Sequence, residues 1–146
     1  MRTITDKGLA LIKSSEKLVL TTYICPAGYP TIGYGHVVKA SEAKTFAGGI
    51  TEARAEELLR QDIIAAQRAV LRLISVPLSD GQFDALVSFT FNLGSGALQR
   101  STLRRKLNRG EYESIPDELL RWVWAGGSKL RGLVKRRRAE GILFES

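Results

Sequence analysis

Residues 18–38 combine two residue classes that helices tolerate poorly. Leu18, Leu20, Thr21, Thr22, Tyr23 and Ile24 favour strands, and Pro26, Gly28, Pro30, Gly33 and Gly35 then punctuate tight turns. No other stretch of the chain uses glycine and proline so densely. A small antiparallel sheet near the N-terminus is the expected result. The rest follows the helical period. Residues 5–15, with Leu9, Leu11 and Ile12, read as a short first helix. From an N-cap at Thr51, the residues Ala55, Leu58, Leu59, Ala66, Ala69, Val70 and Leu73 recur at spacings of three and four. That helix, of roughly 23 residues at about 1.5 Å each, is long enough to link two lobes. Ser79 and Gln82 form a capping-box pair ahead of Phe83, Leu86, Val87, Thr90 and Phe91, a buried helix that stops at Gly94. Shorter helices are expected over 102–108 and 117–124, and Gly126-Gly127 breaks the chain before a basic last helix over 130–143. The predicted fold class is α+β, one small N-terminal antiparallel sheet joined by a long helix to a mostly helical C-terminal lobe.

With 146 residues, no repeats and no Pro/Gly/Ser-rich linker, a single domain spanning 1–146 is expected. Cys25 is the only cysteine, so no intrachain disulfide forms. One His and one Cys cannot supply a usual zinc site, and no metal or cofactor is expected. The net charge of +7 favours a polyanionic partner, whether nucleic acid, an anionic membrane face or an acidic wall polymer. Much of that charge lies in residues 129–138, and such a run is also what a plainly solvated helix face looks like. Arg2, Asp6, Lys7, Lys13, Glu16 and Lys17 interrupt every apolar stretch near the N-terminus. Neither a signal peptide nor a membrane anchor is expected there, and no stable membrane insertion.

Glu16 falls where the first helix meets the sheet, beside Leu18 and Leu20. A carboxyl at such a junction loses part of its hydration and becomes a usable acid; the plain alternative is a surface Glu in a Ser-Ser-Glu-Lys turn. The residues downstream of Glu16 favour the acid. Eight residues separate it from Cys25, and five more separate Cys25 from Thr31, which opens Thr31-Ile32-Gly33-Tyr34-Gly35-His36. This pattern resembles the phage-type lysozymes, the muramidases of glycoside hydrolase family 24. Their signature is Glu, eight residues, Asp or Cys, five residues, Thr, then a Gly-x-Gly-His turn. The resemblance continues through Gln82-Phe83-Asp84-Ala85-Leu86-Val87-Ser88-Phe89, Asn92-Leu93-Gly94, Ser101-Thr102-Leu103, Trp122, Gly126-Gly127 and Gly132-Leu133-Val134 with Arg136-Arg137. It covers nearly the whole chain.

The resemblance implies hydrolysis of the β-1,4 bond between N-acetylmuramic acid and N-acetylglucosamine in bacterial peptidoglycan. Such reactions need a proton donor at the leaving oxygen and a second group on the opposite face of the sugar. By resemblance Glu16 is the donor, and Cys25 and Thr31 are the second group. Val37, Phe91 and Thr102 match positions that touch sugar in the family, although ordinary packing would explain each. The resemblance further implies a monomer that stays in the host bacterial cytoplasm until released to the wall.

Two departures stand out. No acid lies between Glu16 and Thr31, so a thiol occupies the place where a second carboxylate is usual. A thiol near its reference pKa of about 8.5 is mostly neutral at pH 7. Three roles are open for Cys25: a thiol activated by its surroundings, a bystander to a water held by Thr31, or a packing residue. Lys17 stands where the family usually has Gly. It either strains the backbone, if positive φ is needed there, or favours the ionised form of Glu16.

Asp62 sits on the apolar stripe of the long helix and needs a partner, which by resemblance is His36. Arg137, four after Leu133 and three after Val134, also points inward, with Glu16 as a candidate partner. Two rival functions remain. One is a nucleic-acid binder, weakened because residues 135–138 share a helix with apolar residues and carry no stacking aromatic. The other is a catalytically silent wall-binding relative of the lysozymes, suggested by Cys25 and Lys17.

Overall fold

The computed structural model describes all 146 residues. The chain divides into two compact units, residues 16–64 and residues 1–15 with 65–146.

The smaller unit holds the predicted sheet, with strands β1 (Val19–Ile24), β2 (Pro30–Gly33) and β3 (His36–Val37) in the order β1-β2-β3, all antiparallel. After β3 comes a 3-10 turn, Ala40–Glu42. Ile32, Val38, Phe46 and Leu58 form the core of this unit, with Ile50 packed against them. The long helix α2 (Glu52–Leu73) begins here and ends in the other unit. Thr51 caps it through Oγ1, which accepts from the Arg54 N–H at 3.1 Å.

The larger unit is helical. It contains α1 (Asp6–Ser15), α3 (Asp80–Leu93), α4 (Ser95–Arg100), α5 (Thr102–Asn108), α6 (Ile115–Leu119) and α7 (Arg131–Glu145). The capping box that starts α3 forms as expected: Ser79 Oγ accepts from the Gln82 N–H at 3.2 Å, and Gln82 Oε1 accepts from the Ser79 N–H at 2.8 Å. Every residue from Phe83 to Thr90 is buried. Asp84 is one of them, and its carboxylate accepts from both the backbone N–H (3.0 Å) and the hydroxyl of Thr5, ahead of α1. Gly8 makes this approach possible, because a Cβ there would lie 2.6 Å from the Asp84 carboxyl carbon.

The structure corrects the sequence reading at the C-terminal end. The helix expected over 117–124 is shorter and starts earlier, at Ile115, because Pro116 suits a first helical turn. Trp124–Ala125 instead forms a strand, β4, paired with β5 (Ser128–Lys129). Gly126 and Gly127, at φ +57° and +80°, make the two-residue turn that a tight hairpin needs. The chain therefore has two small sheets rather than one. The helix α4 is a further element that the sequence pattern does not signal.

Arg137 does turn inward and is fully buried. A carboxylate partner is Glu140, three residues on in the same helix; Arg137 Nε lies 2.8 Å from Glu140 Oε1. Arg137 Nη2 also donates to Asn92 Oδ1 at 2.6 Å, and Ser88 Oγ donates to Glu140 Oε2 at 2.6 Å. Burial pushes the Glu140 carboxyl up, while Arg137 and the Ser88 hydroxyl pull it back. This cluster fastens α7 to α3. Glu140→Gln leaves two buried guanidiniums without their carboxylate, and removing one partner of a buried pair costs about 3–5 kcal/mol. A melting temperature lowered by about 6 °C or more is the expected outcome by calorimetry; an unchanged value would mean the pair contributes no net stability.

Candidate active site

Glu16 is the first residue after α1. Ser14 and Ser15 turn their hydroxyls back onto the Leu11 carbonyl, at 2.8 and 3.0 Å, and the helix ends with them. Glu16 is half-buried, and its carboxylate lies against the turn between β2 and β3. A Cβ on Gly35 would stand 3.5 Å from Glu16 Oε2. Gly35 has φ +84°, which L side chains rarely adopt, so the backbone of this turn calls for glycine.

The same turn delivers His36. Its Nδ1 lies 2.8 Å from Asp62 Oδ2 on α2, as the sequence suggested. Its other nitrogen, Nε2, lies 3.2 Å from Glu42 Oε1, a partner that sequence reasoning missed. The spacing of six residues between His36 and Glu42 signals nothing by itself; the 3-10 turn brings them together. A ring protonated at both nitrogens donates to both carboxylates, whereas a neutral ring donates to one. The Glu42 carboxylate also accepts from the Lys39 N–H at 3.0 Å. That backbone bond, opposed by partial burial and aided by His36, holds the Glu42 carboxyl below its ordinary value of 4.5.

Cys25 and Thr31 meet at the opposite end of the sheet's first hairpin. Ile24 pairs with Pro30 and Tyr23 with Thr31. The Cys25 N–H donates to the Tyr29 carbonyl at 2.9 Å, and the Gly28 N–H donates to the Cys25 carbonyl at 2.8 Å. The backbone N–H of Tyr29, opposed by desolvation and aided by the Thr31 hydroxyl and the N–H groups of Ala27 and Gly28, lowers the Cys25 thiol from its ordinary value of 9.0. Thr31 is buried, and its Oγ1 also donates to the Tyr29 carbonyl at 2.9 Å. A single hydroxyl proton cannot serve both acceptors at once.

Val37 pairs with Thr31 across β2 and β3, and its side chain is half exposed. Phe91 and Thr102 belong to the helical unit and are both half-buried. Thr102 opens α5, accepts from Arg105 Nη2 at 3.0 Å, and lines a cavity of ≈ 320 Å³ with Arg100, Ser101, Arg121 and Trp122. Lys17 is exposed, and no residue other than glycine has positive φ, so Lys17 carries no backbone strain. No group of three or more His, Cys, Asp or Glu side chains is arranged to hold a metal ion.

The phage lysozyme family profile matches residues 13–140, which include the whole segment from Glu16 to His36. The chain belongs to the phage lysozyme family. It is a glycoside hydrolase of the lysozyme type. An endolysin of Acyrthosiphon pisum secondary endosymbiont phage 1 is 43% identical, with 98% of each chain covered. The endolysin of Salmonella phage P22 is 38% identical over the full length of both. A crystal structure of the P22 lysozyme variant L86M superposes with a TM-score of 0.90 at 37% identity, covering both chains fully. The muramidase domain of SpmX from Asticaccaulis excentricus reaches 0.89 at 35% identity, covering 100% of this chain and 99% of that one.

Asp62 and Glu42 should stabilise the enzyme rather than take part in its chemistry. Their side chains are 31% and 27% exposed, so the loss is smaller than for a deeply buried pair. Asp62→Asn is expected to cost about 1–2 kcal/mol, with specific activity well below the melting temperature within a few-fold of the parent. Because folding lowers the Glu42 pKa, its stabilisation is present above 4.5 and is lost as the pH falls through the lowered value. Melting curves of Glu42→Gln and parent should therefore differ at pH 7 and converge as the pH falls through the lowered Glu42 value. A gap that persists once the carboxylate is protonated would show that the ionised carboxylate is not what stabilises.

Proposed function

We propose that the enzyme hydrolyses the β-1,4 bond between N-acetylmuramic acid and N-acetylglucosamine of bacterial peptidoglycan, with Glu16 as general acid. The observation that carries this reading is the seat of the Glu16 carboxylate against the Gly35 turn, within the unit that also holds Cys25 and Thr31. Peptidoglycan hydrolysis of the endolysin type is the activity of the family, and the proposal concerns which groups perform it here. Glu16 gives its proton to the leaving glycosidic oxygen. On the opposite face of the sugar, the Cys25 thiolate, steadied by the Thr31 hydroxyl, takes the proton of the attacking water and is left as the neutral thiol. The hydrogen bonds that lower the thiol pKa favour this role over that of an inert packing residue. Half-exposed Val37, beside Thr31, and Phe91 and Thr102 of the helical unit provide sugar contacts.

A catalytically silent wall binder gains no support, since Lys17 is unstrained and the Cys25 thiol is eased toward ionisation. No helix is long and apolar enough to cross a membrane. Residues 1–146 are read as one catalytic domain acting as a monomer, held in the host bacterial cytoplasm until released to the wall, with peptidoglycan rather than nucleic acid as partner.

Glu16→Gln keeps size and hydrogen bonding but removes the transferable proton. Release of reducing ends from purified peptidoglycan should fall at least about 10²-fold with the fold intact, and lysis near the parent rate would refute the assignment. For Cys25 the substitutions separate chemistry from bulk. Ser, far less acidic than a thiol, should lose most activity, whereas Cys25→Asp should retain a substantial share. A mild Cys25→Ser with a severe Thr31→Ala would instead assign the water to Thr31 alone.

A further inference from the structure

The inward face of α7 is occupied by Arg136, Arg137, Glu140, Gly141 and Phe144. Its outward face carries Arg131, Val134, Lys135, Arg138 and Ile142 at spacings of three and four, which makes one continuous stripe. An open cavity of ≈ 500 Å³ runs along it, with an apolar floor of Val134, Ala139 and Ile142. Lys129 on β5 completes a rim of four cations with Arg131, Lys135 and Arg138, and no carboxylate lines the cavity. Glu145, the one acid on the stripe, sits at its far end. None of the residues assigned to the reaction lines this cavity either.

Two exposed apolar side chains accompany the cations. Ile142 is 74% exposed. Trp124, 62% exposed, pairs with Lys129 across the β4–β5 hairpin. Directly opposed residues send their side chains to the same face of a sheet, so Trp124 stands on the face that Lys129 presents to the cavity.

We propose that this stripe is a docking surface for an anionic phospholipid leaflet. Lipid phosphates meet Lys129, Arg131, Lys135 and Arg138, lipid hydrocarbon covers Val134, Ala139 and Ile142, and Trp124 lies at headgroup level. The pairing of charge with an apolar floor selects this occupant. A hydrated polyanion, whether wall polymer or nucleic acid, satisfies the cations but gains nothing from Ile142. A zwitterionic surface makes no use of the cations. The inner face of α7 stays packed on α3 throughout, so the attachment is peripheral. It is independent of the glycosidase reading.

The test mixes the intact protein with vesicles of phosphatidylglycerol or of phosphatidylcholine, and follows sedimentation and tryptophan emission. The parent should bind phosphatidylglycerol vesicles in preference, with a blue shift that Trp124→Ser removes. Paired Lys135→Glu and Arg138→Glu substitutions should abolish binding. Ile142→Lys is the decisive variant, because it adds a cation while deleting the most exposed apolar group. It should weaken binding about tenfold, the scale of one buried aliphatic side chain. All these side chains lie outside the proposed site, so hydrolysis of soluble peptidoglycan fragments and the melting temperature should stay as in the parent. Equal binding to the two lipids would overturn the proposal. So would Ile142→Lys binding as tightly as the parent, which would leave a charge-only surface suited to wall polymers or nucleic acid.

Discussion

The smaller unit is organised around one tight turn and the histidine that follows it. Gly35 turns the chain through a positive φ so that β3 can run back along β2. His36 then anchors the turn to α2 through Asp62 and to the 3-10 segment through Glu42. Two carboxylates from different elements hold one imidazole, so any displacement of the turn costs at least one charge-assisted hydrogen bond. Glu16 has its carboxylate beside that turn, and the precision of the proposed acid therefore rests on a contact made by residues that need not touch substrate.

The helical unit answers a different demand. Its last helix carries two buried arginines, which need an anion inside the protein. Glu140 meets that need from the same helix, and Ser88 and Asn92 of α3 add hydrogen bonds to it and to Arg137. The outer face of α7 is built on the opposite principle, with its cations left to solvent around an apolar strip. One basic run thus divides by helical period into a structural half and a half available for interaction.

The chemistry of the proposed site is shaped by the hairpin more than by charge. No carboxylate stands at the second position, yet the backbone N–H groups and the Thr31 hydroxyl of the tight turn hold the Cys25 thiol below its ordinary value. The sequence leaves open what in its surroundings would activate the thiol, and hydrogen-bond donors of the hairpin lower its pKa. Backbone donors leave no mark in a sequence, because every residue except proline carries one.

Periodicity, capping residues and glycine placement were enough to locate the first sheet, the long helix and the buried α3. These signals are local, set by backbone sterics and by which side of an element is apolar. The sequence alone therefore determined the fold class, and its resemblance to a family singled out the candidate residues Glu16, Cys25 and Thr31. Only the tertiary structure decided who meets whom. It joined Glu42 to His36, gave Arg137 to Glu140, shortened α6 in favour of the Gly126-Gly127 hairpin, and cleared Lys17 of strain. Each of these depends on distances between side chains on separate turns of chain, or on a backbone angle. A linear pattern of residue types does not encode such quantities; packing does.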